Sequence, residues 1–122
     1  ILVESPLDVL RLYTAGIEGG VASMGAYVSE DQMRLLLSLT NEVILALDND
    51  DTGHRWTDRL ISGKWTNAKG FTIRGTAWSS QFRTYVLNYS KTKAKDVGEM
   101  TDDEIDWAID NAYPSVKWEG YS

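Results

Sequence analysis

The sequence predicts an α/β fold in which a central, mainly parallel sheet of four strands carries helices on both faces. A strand followed by a helix occurs three times within the first 63 residues, and this alternation is typical of parallel α/β sheets. The segment 43–47 is apolar at every position, as expected for a strand that is covered on both sides. With 122 residues, the chain has the length of one domain.

The first unit begins with the apolar run 1–3, which predicts a short buried strand. Ser5 and Pro6 follow, and serine at the N-cap with proline in the first turn is typical of a helix start. This helix should end near Ala15. Its apolar residues, which we expect to face the sheet, are Leu7, Val9, Leu10 and Tyr13.

The second and third units repeat this order. A strand is predicted over 20–24, and Ser29 with Gln32 then forms a capping box that opens a helix. The apolar strand 43–47 is followed by a helix that should start near Thr52 and stop near Gly63.

The second half of the chain is less regular. We expect an inserted hairpin or loop within 64–81, a core strand over 82–89, a functional loop over 91–100 and a last helix from Thr101. Thr101 and Glu104 form a second capping box. We assign 1–112 to the domain and 113–122 to a tail or linker, and we expect the chain to be a fragment of a longer protein.

The composition excludes several kinds of site. The chain has no cysteine, so disulfides, thiolate zinc sites and cysteine nucleophiles are excluded, and its single histidine excludes a histidine-rich metal site. No apolar run approaches the roughly 20 residues of a membrane span, and no membrane partner is expected. The net charge of −6 is unlike that of most DNA-binding domains, which are basic.

Acidic residues follow two of the predicted strands. Glu4 ends the first strand, while Asp48 and Asp50 end the third, so all three should meet at the carboxyl edge of one parallel sheet. Carboxylates this close repel one another unless a cation or a proton intervenes, and oxygen-only ligands suit magnesium or manganese. The alternative is local: acidic residues at strand ends often cap the next helix, as Asp51 or Thr52 would here.

The segment VESPLD has a strand-ending glutamate with an aspartate four positions later, and LDNDDTG has a strand that ends in aspartate-x-aspartate with a glycine soon after. Together with the segments VASMG and AKDVGE, they resemble motifs of the Toprim domain of DnaG-type DNA primases, from bacteria and bacteriophages. The runs VASMG and AKDVGE are similar to the second strand and to the lysine–aspartate loop of these primases. The resemblance covers residues 1 to about 112, within which the four segments are 3–8, 47–53, 21–25 and 94–99.

The resemblance implies a site and a reaction. Asp48 and Asp50 would hold Mg²⁺ or Mn²⁺, Glu4 would be the general acid or base or a further metal contact, and Asp96 would extend the metal site. The catalytic set is then Glu4, Asp48 and Asp50. The implied activity is nucleotidyl transfer, the synthesis of RNA primers on single-stranded DNA during replication.

The resemblance also implies partners. Nucleoside triphosphates and a single-stranded DNA template would bind through the parent protein, a replicative helicase would be a partner, and the location would be the cytoplasm of a bacterium or a phage-infected host. Three lysines on the loop beside Asp96 are candidates for nucleotide or DNA contacts, against the alternative of ordinary solvated side chains: Lys91, Lys93 and Lys95. The isolated domain should have little or no activity.

Two positions depart from the family pattern. Ser5 replaces a commoner glycine, and Gly98 stands where the loop often has a second aspartate, with Glu99 beside it. Asp8 matches the motif but is equally suited to a structural hydrogen bond, and His54 is expected to be solvated near the site. The other functions considered are a topoisomerase, an OLD-type nuclease and a Toprim module that binds partners without catalysis.

Overall fold

The computed structural model describes residues 1–23 and 28–119. Its main sheet has five strands in the order β2-β1-β3-β6-β7, and a separate hairpin is formed by β4 and β5. The strands are β1 (Leu2–Val3), β2 (Val21–Ala22), β3 (Glu42–Leu45), β4 (Lys64–Thr66), β5 (Thr72–Arg74), β6 (Arg83–Val86) and β7 (Tyr113–Pro114). The α-helices are α1 (Pro6–Thr14), α2 (Glu30–Leu37), α3 (Asp51–Ser62), α4 (Trp78–Gln81) and α5 (Asp102–Asp110).

The four strands β2, β1, β3 and β6 are parallel, which confirms the predicted fold class. Leu2 pairs with Val21 on one side and with Leu45 on the other, and Leu45 pairs with Val86. A fifth strand, β7, pairs antiparallel with β6. The strand count therefore differs from the predicted four, because a segment assigned to the tail adds an edge strand to the sheet.

Alternate strand residues supply two separate cores, one on each face of the sheet. The first core packs β1, β3 and β6 against α1 and α5, and its fully buried members include Val3, Leu12, Val97 and Ile105. The second packs the opposite face of these strands against α2, α3 and α4, and its members include Leu2, Leu45, Leu60 and Trp78. Helices on both faces were predicted and are confirmed.

The predicted helix starts are confirmed in atomic detail. The hydroxyl of Ser5 accepts a hydrogen bond from the N–H of Leu7 at 3.2 Å. Both predicted capping boxes form, at Ser29 with Gln32 and at Thr101 with Glu104. The predicted hairpin is also present as β4 and β5, followed by the short helix α4.

The predicted buried face of α1 is wrong. Leu7 is 73% exposed, and Leu10 and Tyr13 are also exposed, while Leu12 and Asp8 are buried instead. Asp8 and Leu12, one turn apart, lie on the face of α1 that turns towards the sheet, and Val9 packs against the same core, so Leu7, Leu10 and Tyr13 lie on the outer side. The second predicted strand is shorter than expected, and its predicted end, Met24, lies outside the described residues.

No helix in the described part of the chain is long and apolar enough to cross a bilayer.

Candidate metal centre

Glu4 and Asp48 meet at the carboxyl edge of the sheet, as predicted. Parallel pairing of β1 with β3, extended by a hydrogen bond from the N–H of Ala46 to the carbonyl of Leu2 at 2.8 Å, aligns the ends of the two strands. The N–H of Asp48 lies 3.4 Å from Oε1 of Glu4, and the two carboxyl groups also share a hydrogen bond.

This contact changes the protonation of Asp48. Burial, followed by the charge of Glu4 and the hydrogen bond to it, raises the pKa of Asp48 to about 7, with smaller contributions from Asp50 and Asp8. A carboxyl with this pKa keeps a proton in a large fraction of molecules at neutral pH. Asp48 therefore carries a proton in many molecules at the position where the predicted metal ion would lie.

Asp50 lies close enough to raise the pKa of Asp48, but it also has a structural role. Its side chain is the N-cap of α3, with Oδ1 accepting a hydrogen bond from the N–H of Gly53 at 2.7 Å. Helix capping at this strand end was the alternative considered from the sequence, and it is carried out by Asp50 instead of Asp51 or Thr52.

Asp8 and Asp96 form the other half of the acidic cluster. Asp8 is 4% exposed, and its Oδ1 accepts a hydrogen bond from the N–H of Gly98 at 3.1 Å. Burial raises the pKa of Asp8, and the charges of Asp96 and Glu4 add to the effect. Asp8 therefore ties α1 to the loop that carries Asp96.

Asp96 begins the short 3₁₀ turn Val97–Glu99 and caps it, with Oδ1 accepting from the N–H of Glu99 at 3.0 Å. The carboxylate of Glu99 turns back and accepts from the N–H of Lys95 at 2.7 Å. Glu99 thus closes the loop on itself. A Cβ at Gly98 would lie 3.1 Å from Oδ1 of both Asp8 and Asp96, so this position borders the cluster without adding a ligand.

Asn49, the middle residue of the aspartate-x-aspartate motif, fixes this loop and was missed by the sequence analysis. Its N–H donates to the carbonyl of Lys95 at 2.6 Å, and its Nδ2 donates to that of Ala94 at 3.2 Å. Nε2 of His54 lies 2.9 Å from Oδ1 of Asn49. His54 is therefore a partner of Asn49 in the structure.

Tyr89 is a second residue that the sequence analysis missed. Its hydroxyl donates to the carbonyl of Leu47 at 3.1 Å, just before Asp48. Burial raises the pKa of Tyr89, as do the charges of Asp48, Asp8, Asp96 and Glu4. The phenol therefore stays protonated and holds the end of the third strand in place.

The predicted lysines are not drawn into this cluster. Lys91 and Lys93 line a separate shallow depression with Glu104, and Lys91, Lys93 and Lys95 are all exposed. Their contact with nucleotide or DNA stays a prediction.

The cluster has the chemistry of a metal site, since it offers only oxygen ligands and its carboxylates repel one another. It is not a preassembled cage. Within residues 1–23 and 28–119, no three acidic or histidine side chains are close enough to hold one ion together. Asp50 and Asp96 each use Oδ1 in a capping bond.

Comparisons with known proteins agree with this geometry. The family described as Toprim-like matches residues 1–101. A DNA primase of Synechococcus elongatus is 32% identical over 98 residues, or 79% of this chain and 13% of the primase. A DNA primase of Enterococcus faecalis is 36% identical over 61 residues, and one of Aquifex aeolicus is 40% identical over 55 residues, which are 50% and 45% of this chain and 10% and 11% of those primases.

The chain thus spans only 10% to 13% of the length of these relatives. A comparison with solved structures gives no significant match. The parallel sheet, the carboxylates at its edge and the match over residues 1–101 agree, and the chain belongs to the Toprim-like family.

Proposed function

We propose that this chain is the Toprim catalytic core of a DNA primase and takes part in metal-dependent nucleotidyl transfer. The observation that carries the proposal is the Glu4–Asp48 pair, two carboxyl groups held in contact at the strand edge with the pKa of Asp48 raised to about 7. Groups that are forced together in this way are typical of sites that need a cation or move a proton. The similarity to proteins named DNA primase supports this reaction over that of a topoisomerase or a nuclease.

Asp48 and Asp50 would hold Mg²⁺ or Mn²⁺, with Glu4 and Asp96 as further contacts. When bound, such an ion aligns the attacking hydroxyl and offsets the negative charge that develops on phosphate. Glu4 is suited to accept the proton of that hydroxyl, because its carboxylate is fixed against the N–H of Asp48. Asn49 and Tyr89 act as positioning residues, since they tie the two cluster-bearing loops together and hold the strand end.

The proposal extends to the parent protein. Nucleoside triphosphates and a single-stranded DNA template are the expected substrates, a replicative helicase is an expected partner, and the cytoplasm is the expected location. The isolated chain should synthesise little or no primer, because it spans about a tenth of its relatives' length. Robust synthesis by the chain alone in a primer assay would contradict this last point.

The metal site is tested by thermal unfolding of the chain in increasing MgCl₂ or MnCl₂. At ten times the Kd, binding adds about 1.4 kcal/mol to the free energy of unfolding, and the Tm should rise by about 4 °C. The double variant Asp48→Asn/Asp50→Asn should lose this rise, and Glu4→Gln should reduce it.

Asp103→Asn is the matched control, because Asp103 is an exposed carboxylate in the first turn of α5, away from the cluster. It should respond to metal as the unchanged chain does. If the unchanged chain shows no metal response, the catalytic proposal is wrong and the non-catalytic binding module becomes the better description.

A further inference from the structure

The charges of this acidic chain are strongly segregated along the sequence. No aspartate or glutamate lies between Asp58 and Asp96, although the whole chain has 18. Eight of the 12 basic residues fall in the same interval: Arg59, Lys64, Lys69, Arg74, Arg83, Lys91, Lys93 and Lys95. Half of these eight belong to the end of α3 and the β4–β5 hairpin, outside the acidic edge of the sheet.

The structure brings several of these cations together around one cavity. A cavity of about 670 Å³ lies between α3 and the β4–β5 hairpin. We call its basic lining and its aromatic ring the hairpin surface, which consists of Arg55, Arg59, Lys64, Trp65 and Arg74. Asp58 is the one carboxylate in the lining of the cavity, so the surface keeps a clear positive charge in a chain whose net charge is −6.

Within the hairpin surface, two cations are placed directly opposite each other. Lys64 pairs with Arg74 across the antiparallel strands. Like charges at directly opposite positions destabilise a sheet, and neither residue forms an ion pair within the part of the chain that the structure describes. This repulsion falls when an anion binds between the two side chains.

Arg59 and Trp65 give the surface a fixed aromatic part. The guanidinium of Arg59 lies 4.5 Å from the ring centroid of Trp56 and 5.3 Å from that of Trp65. These cation–π contacts hold Arg59 in place beside the cavity. Trp65 remains half-exposed, and Phe71 on the same hairpin is 65% exposed.

Lys64 and Arg74, which form no ion pair among the described residues, lie beside a half-exposed tryptophan, and this arrangement suits a polymer that has both phosphates and bases. Phosphates would offset the charges of Lys64 and Arg74, and a base that is not paired in a duplex can stack on the aromatic ring. We propose that the hairpin surface binds single-stranded nucleic acid through its phosphate backbone and stacked bases. The biological role of this binding rests on the proposed function, in which a single-stranded template is a substrate. The binding itself needs no metal and can be measured without it.

The test is fluorescence anisotropy of a labelled 15-residue oligo-dT with the 122-residue chain, in EDTA and at low salt. The chain should bind, and the neutral double variant Lys64→Gln/Arg74→Gln should weaken binding about tenfold or more. It should also flatten the dependence of log K on log salt by about 1.4, since each phosphate contact to a single strand contributes about 0.7. Removing the opposed charges should leave the Tm unchanged or slightly higher, so a loss of binding would not come from unfolding.

A second variant addresses the bases. Trp65→Leu keeps an apolar side chain but removes the stacking ring, and it should weaken binding about fivefold or more. The matched control is Arg34→Gln/Lys117→Gln, two exposed cations outside the hairpin surface, which should bind as the unchanged chain does.

The outcomes separate this proposal from others. Oligo-rU that binds within a few-fold of oligo-dT supports recognition of backbone and bases. Equal displacement by polyglutamate of matched charge, or equal losses in the double variant and its control, would overturn the proposal. So would the absence of binding. The magnesium-dependent rise in Tm should persist in Lys64→Gln/Arg74→Gln, so a failure of either proposal is visible without the other.

Discussion

At the scale of single residues, Asp48 links the stability of the metal-free protein to pH. Its pKa in the folded protein is raised to about 7, mainly by burial and then by Glu4, whereas an unfolded aspartate has a pKa near 3.9. The folded protein therefore binds more protons than the unfolded chain between these values. The free energy of unfolding decreases with rising pH wherever the folded protein binds more protons than the unfolded chain. The stabilisation that comes from protonated Asp48 is therefore complete below about pH 4 and is lost as the pH rises to about 7.

Asp48→Asn should remove this dependence. At pH 8 without metal, the variant should be more stable than the unchanged chain by about 1–2 kcal/mol, a value that allows for solvent screening at this half-buried site. At pH 4 the difference should nearly vanish. Urea unfolding at the two pH values measures it, with Asp103→Asn as the control, and equal effects at both pH values would contradict the raised pKa.

The residues of the cluster differ in how far the sequence could predict them. Glu4 and Asp48 follow apolar strands, so the fold class alone brings them to one edge. The hydrogen bond from Gly98 to Asp8 and the bonds from Asn49 to the loop at 94–95 join distant segments and leave no local pattern. Tyr89 reads as one more residue of a strand, and only the structure shows its bond to the carbonyl of Leu47.

At the scale of elements, the junction between the third strand and α3 depends on a glycine. A Cβ on Gly53 would lie 1.9 Å from the carbonyl oxygen of Asp48 and 2.7 Å from its carbonyl carbon. These are backbone atoms, which cannot rotate aside. The first turn of α3 can thus approach the end of the strand only without a side chain at this position, and this approach places Asp50 as the helix cap.

Gly53→Ala should therefore destabilise the protein, although alanine is more favourable than glycine in a helix interior by about 1 kcal/mol. We expect the Tm to fall by more than about 5 °C and the metal response to weaken, because Asp48 must move. Gly19→Ala is the control, since a Cβ there meets nothing within 4 Å. A Tm for Gly53→Ala equal to that of Gly19→Ala would show that the junction has more room than the structure indicates.

Elements with local causes were predicted better than those with tertiary causes. Capping boxes lie within four residues of sequence, and both form as predicted. Strand β7 has only two residues, one of them Pro114, and a proline argues against a strand unless it lies at an edge. Its pairing with β6 supplies that edge position, which the sequence of 113–122 does not reveal.

At the scale of the whole molecule, the segment after Ala112 contributes to the fold. Tyr113 pairs with Val86, Ser115 is buried, and the ring of Trp118 meets that of His54 edge-on at 5.9 Å between centroids. The family match ends at residue 101, yet these contacts tie the later residues to β6 and α3. Assigning 113–122 wholly to a tail or linker therefore does not describe 113–118.

A chain that ends at Ala112 should be less stable than the full chain by about 2 kcal/mol or more, because it loses the half-buried Tyr113 and Trp118 side chains and the edge pairing. Its thermal and urea unfolding midpoints should both be lower. Val116→Ser changes a side chain that is 89% exposed and should leave both midpoints unchanged. Equal midpoints for the shortened and full chains would restore the tail assignment.

The parallel order of β1, β3 and β6 has a consequence for how the chain reaches this structure. Leu2 pairs with Leu45, and Leu45 pairs with Val86. Because these strands are parallel, none of them can form a hairpin with its neighbour through a tight turn. The chain must lose the entropy of closing long loops before strand pairing contributes any stabilising free energy. Folding is therefore slower than for a helical bundle of similar size. Glu4 and Asp48 therefore come together only after two strands that are far apart in the sequence have paired. During synthesis on the ribosome, the pair cannot form until the third strand has emerged.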